Sequence, residues 1–149
     1  MRVFTLVGGP AAVPETARLS RAIREFNAGV DFRLRFLHIE IDEVFGVDAA
    51  SRPTLLRSVE PAEWREIPDL GALHAAAALA LAIAEARPDL VVIVGRGGLV
   101  EPGVAAAAAA GRRIGFFGRE RGAADGGLDL GDDTDAALQQ MTGMAREIV

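Results

Sequence analysis

The chain of 149 residues is predicted to fold as an α/β domain, a three-layer Rossmann-like sandwich with a mainly parallel sheet and helices on both faces. Three observations predict this. Residues 2–7 (RVFTLV), 90–94 (LVVIV) and 114–117 (IGFF) are short apolar runs of the kind that form strands buried on both faces. The first two run straight into glycine-rich turns, Gly8-Gly9-Pro10 and Gly95-Arg96-Gly97-Gly98. Helix-length stretches rich in alanine or amphipathic in pattern follow these turns. Residues 88–117, PDLVVIVGRGGLVEPGVAAAAAAGRRIGFF, therefore read as a complete strand–turn–helix–strand unit of a parallel sheet.

The remaining elements follow in order. After the first strand, Pro14 suits the first turn of a helix and Glu15 is favourable near its positive end. Ala17, Leu19, Ala22, Ile23 and Phe26 give that helix a buried stripe, and Asn27-Ala28-Gly29 ends it. Residues 32–41 (FRLRFLHIEI) alternate, with Phe32, Leu34 and Phe36 on one face, which predicts a half-exposed strand. Residues 42–68 are the least regular part. They hold a short helix at 42–45, a turn at Ser51-Arg52-Pro53, a short strand or extended piece at 55–59 and a helical turn opened by 61–64. Asp69 is placed to cap a helix over 71–86, whose alanine-dominated surface is apolar nearly all round. A second alanine helix over 100–110 stops at Gly111. A charged, glycine-rich loop covers 118–131. Asp132 or Asp133 then caps a last helix over 134–148, with its stripe on Ala137, Leu138, Met141, Met144, Ala145 and Ile148. No internal repeat or linker divides the chain, so residues 1–149 are expected to form one domain.

Composition excludes several chemistries. With no cysteine there is no disulfide, thiolate metal site or thiol nucleophile. All 16 basic residues are Arg, which removes a Schiff-base lysine, a lysine base and a Walker-type phosphate lysine. A net charge of −5, with no arginine block interleaved with aromatics, argues against nucleic-acid binding. The longest apolar stretches, 75–84 and 104–110, are too short to span a membrane, and the opening MRVFTLVGG does not read as a signal peptide. A cytoplasmic protein without metal or cofactor is the expectation.

In an open α/β sheet, ligands bind beyond the carboxyl ends of the strands, where the strand order reverses. The candidate ligand-binding residues are therefore Gly8, Gly9, Pro10, Gly95, Arg96, Gly97, Gly98 and Arg119. The turn at 95–98 has the makings of an anion cradle, with backbone N–H groups, a following helix N-terminus and the donor fork of Arg96. It is not G-x-G-x-x-G, because Val100 stands at the third glycine position. His38 and Glu101 are weak candidates for acid–base work. A structural reading competes for each: Glu101 sits where a helix favours negative charge, and His74 in its apolar helix reads as a packed residue. Ser20, Ser51 and Ser58 have no nucleophile-elbow context.

Three segments resemble the amino-terminal domain of the UDP-N-acetylglucosamine 2-epimerase family, within the glycosyltransferase-B-like folds. Residues 3–23 (VFTLVGGPAAVPETARLSRAI) are similar to the family's first strand, Gly-Thr-Arg-Pro-Glu turn and helix; 32–46, ending in DEVFG, to its second strand and trailing short helix; and 88–117 to its Pro-Asp-Leu-Val strand, turn, alanine-rich helix and next strand. The turns depart from the family pattern. Pro10-Ala11-Ala12 stands for Arg-Pro-Glu, Arg96 for an aspartate, and Phe117-Gly118-Arg119-Glu120 for Ala-Gly-Leu-Arg. The family's carboxy-terminal domain, which holds most of the nucleotide, has no counterpart in these residues. The resemblance implies a degenerate, stand-alone amino-terminal half that binds a small phosphorylated or sugar-nucleotide ligand, or that pairs with a separate carboxy-terminal-half chain. Two other readings stand beside it: a non-catalytic homo-oligomeric scaffold or regulatory domain, dimerising through the 71–86 helix, and a small enzyme acting on a phosphorylated metabolite through Arg96 and His38.

Overall fold

The computed structural model describes residues 1–7, 12–39, 43–47, 53–57, 65–66, 71–95, 100–118 and 127–148. In chain order the elements are β1 (Arg2–Val7), α1 (Val13–Gly29), β2 (Leu37–Ile39), β3 (Glu43–Val47), β4 (Pro53–Arg57), β5 (Arg65–Glu66), α2 (Gly71–Ala86), β6 (Leu90–Val94), α3 (Val100–Ala109), β7 (Arg113–Phe117), β8 (Leu128–Asp129) and α4 (Thr134–Ile148). Five strands form a wholly parallel sheet in the order β2-β1-β6-β7-β8. Numbered within that sheet the order is 2-1-3-4-5, the doubly wound arrangement of flavodoxin-like folds. A small antiparallel sheet, β3-β4-β5, is inserted between β2 and α2.

Alternation along the strands separates two cores. Val3, Leu90, Val92, Val94 and Phe117 face α1 and α4, packing on Leu19, Ile23, Ala137, Met141 and Ala145. Phe4, Leu6, Val91, Ile93 and Phe116 face the opposite way, onto Leu79 and Ile83 of α2 and Ala106 and Ala107 of α3. All five residues of β6 are buried, as expected for the central strand of a sheet covered on both sides. Fully burying a side chain such as Ile23 or Leu79 stabilises the fold by roughly 1.5–3 kcal/mol. Because alanine keeps the α3 face short, that helix lies close to the sheet.

Asp89 fixes the register between β1 and β6. Its backbone N–H donates to the Arg2 carbonyl at 2.9 Å, and its carboxylate accepts from the Arg2 backbone N–H at 2.7 Å. Val7 then lies opposite Val94 at the other end of the pair. Asp133 caps α4 by accepting from the Ala136 N–H at 2.8 Å.

Three expectations are corrected. The alternation at 32–41 does not give one strand. Phe32–Leu34 is a 3-10 turn, because the Asp31 carboxylate accepts from the Arg33 N–H at 2.9 Å and holds the chain in a tight cap; Phe32 is left 73% exposed. The strand begins only at Leu37, after Asn27 has engaged both backbone groups of Phe36. Residues 43–47 form a strand and not the end of a short helix. Val44, Phe45 and Val47 favour a pleated surface, and Gly46 disfavours a helix. The loop at 118–131 contains β8, a fifth parallel strand of two residues, too short to leave a hydrophobic run in the sequence. The short strand or extended piece expected at 55–59 corresponds to β4, which begins earlier, at Pro53, and runs to Arg57. The helical turn expected at 61–64 and the Asp69 cap lie outside the described residues. Among the described residues no helix is long and apolar enough to cross a membrane.

Candidate functional site

The sheet reverses direction between β1 and β6. From β1 the chain moves outward to β2, and it returns past β1 to build β6, β7 and β8 on the other side. In doubly wound sheets such a junction, at the carboxyl ends of the strands, is where a ligand crevice is expected. Val7 pairs with Val94, and Val94 with Phe117, so β1, β6 and β7 end level with one another. Gly95 and Gly118 are the first residues above this row. Both have φ of +74°, a left-handed conformation that glycine adopts without strain.

The two glycines also clear space for α1. A Cβ at Gly95 would lie 2.5 Å from the Ala12 Cβ and 3.9 Å from Glu15 Oε2. At Gly118 a Cβ would coincide with the Glu15 carboxylate itself. Pro14 at the start of α1 sets the helix direction, and Glu15, in the first turn, carries its half-buried side chain across the ends of β6 and β7. A carboxylate thus stands over the ends of β6 and β7, one strand away from the β1–β6 junction. Arg18, one turn further along α1, does not neutralise it. Its Nη2 donates to the Asp132 carbonyl at 2.9 Å, and its guanidinium lies 5.5 Å from the centre of the Phe117 ring. The start of α1 has no side-chain cap, and the Thr16 hydroxyl donates back to the Ala12 carbonyl at 2.8 Å.

Of the residues singled out from the sequence, Gly95 lies at the crevice floor. Its N–H donates to the Phe117 carbonyl at 2.8 Å, and the Gly118 N–H donates to the Gly131 carbonyl at 2.7 Å. These two donors hold the strand ends together and are not offered to an anion. Gly8, Gly9, Pro10, Arg96, Gly97, Gly98 and Arg119 lie outside the described residues. His38 sits in β2 opposite Val3, four positions before Val7. At about 3.3 Å per residue this is about 13 Å below the row of strand ends, so the register does not bring its backbone to the crevice. Glu101 is in the first turn of α3 and His74 in α2, and the side chains of His38, His74 and Glu101 are outside the described part. Among the described residues no group of three or more His, Cys, Asp or Glu side chains is placed to hold a metal ion.

Glu15 is the residue that sequence reasoning did not place in the site. Its position explains itself as a helix-terminus charge. Only the sheet order shows that the amino end of α1 leans over β6 and β7. The signal in the sequence is the pair Pro14-Glu15 following the first glycine turn, which fixes an acidic side chain to the first turn of the helix. No family model matches the chain, and no curated protein or solved structure matches it significantly.

Proposed function

We propose that this Rossmann-like domain binds a sugar nucleotide, or a similar small phosphorylated ligand, in the crevice between β1 and β6. It would work as the counterpart of the amino-terminal half of UDP-N-acetylglucosamine 2-epimerases, with the rest of the site supplied by another domain or chain. The observation that supports this is the level ending of β1, β6 and β7 at the reversal of strand order, with glycine at 95 and 118. Ligands of doubly wound sheets bind at such a point. Arg96, directly after Gly95, supplies a planar donor fork for phosphate.

A thermal-shift panel of UDP-N-acetylglucosamine, UDP and other phosphorylated metabolites tests the reading. The expected result is a rise in melting temperature with the nucleotide sugar that Arg96→Ala diminishes. A panel without a shift on the natural chain would overturn it.

One observation favours the scaffold reading as a second possibility. Leu81, midway along α2, is 61% exposed. If α2 joins two copies, light scattering will give a dimer mass that Leu81→Glu reduces to the monomer; a monomer before substitution removes this reading.

A further inference from the structure

We draw no further inference here: the strongest candidate, the outward face of α2 around Leu81, which is 61% exposed, is an unpartnered apolar face, and nothing among the described residues shows what covers it.

Discussion

The carboxylate of Glu15 occupies the position that the Cβ of any other residue at 118 would need. Two strands end beneath this contact, and the chain leaves β7 with φ of +74° at Gly118. Gly118→Ala meets a backbone penalty that no side-chain movement removes: a left-handed alanine costs about 1–2 kcal/mol. The Glu15 carboxylate is the far end of a flexible, half-buried side chain and swings aside at little further cost. The expected loss is therefore about 1–2 kcal/mol in urea denaturation. A double-mutant cycle with Glu15→Ala should give nearly the same cost in both backgrounds, with a coupling below about 0.5 kcal/mol. A larger cost that Glu15→Ala relieves would show that the Glu15 side chain is held in place.

Two helical glycines should respond in opposite directions to the same change. Gly103 is buried in α3, and a Cβ there would collide with Leu6 Cδ2 and lie 3.5 Å from Ile93 Cδ1. Gly143 is exposed in α4, with no atom within 4 Å of the added carbon. Alanine gains about 1 kcal/mol over glycine in a helix interior. At 143 nothing opposes that gain, so Gly143→Ala should raise stability by about 0.5–1 kcal/mol. At 103 overpacking of about 1–3 kcal/mol outweighs it, because Leu6 and Ile93 are buried and have little room to shift. Gly103→Ala should therefore lower stability by about 1 kcal/mol, and Leu6→Val in the same chain should return part of the loss. Thermal unfolding of the single variants decides the matter; a stabilising Gly103→Ala would show that α3 does not pack this closely.

The parts of the fold that were legible are those in which hydrophobic pattern and punctuation agree. For β6 an unbroken LVVIV lies between Pro88-Asp89 and Gly95, and both ends were placed correctly. Helix α2 follows from its alanine run and the Arg87-Pro88 stop, and α4 from Asp133 and its stripe. The failures lie where a long-range hydrogen bond outranks local pattern. Asn27, nine residues earlier, donates to the Phe36 carbonyl at 2.5 Å and accepts from the Phe36 N–H at 2.7 Å. With Phe26 stacked on the Phe36 ring at 5.0 Å, this pins residue 36 to the end of α1 and ends any strand before it. Alternating residues at 32–36 carry no trace of that pairing. Strand β8 is likewise defined by its neighbour: Leu128 and Asp129 are a strand only because Gly115 and Phe116 present a free edge. The site divides in the same way. Glycine turns mark strand ends in the sequence, and β1 and β6 end where they predict, at Val7 and Val94. The place of Glu15 was not legible, because its reach across the ends of β6 and β7 depends on which strands adjoin β1.

Thr5 and Thr16 are both buried, and their hydroxyls have opposite fates. Thr16 Oγ1 donates to the Ala12 carbonyl at 2.8 Å, whereas Thr5 Oγ1, in the middle of β1, has no hydrogen-bond partner. An unpaired buried polar group costs about 1–3 kcal/mol, and a satisfied one is worth about 0.5–1.5 kcal/mol. Valine matches threonine in shape and favours strands. Thr5→Val should therefore stabilise the protein by about 1 kcal/mol, since it removes a desolvated hydroxyl and keeps the packing opposite Val92. Thr16→Val should destabilise it by about 1 kcal/mol, since it removes a satisfied buried hydrogen bond to the Ala12 carbonyl. Thr5→Ser separates the hydroxyl from the methyl group: it retains the unpaired oxygen, loses a buried carbon and should cost about 1 kcal/mol. Equilibrium urea denaturation of the three variants supplies the comparison. A destabilising Thr5→Val would mean that this hydroxyl is satisfied in solution, and the opposite signs at positions 5 and 16 would then have to be abandoned.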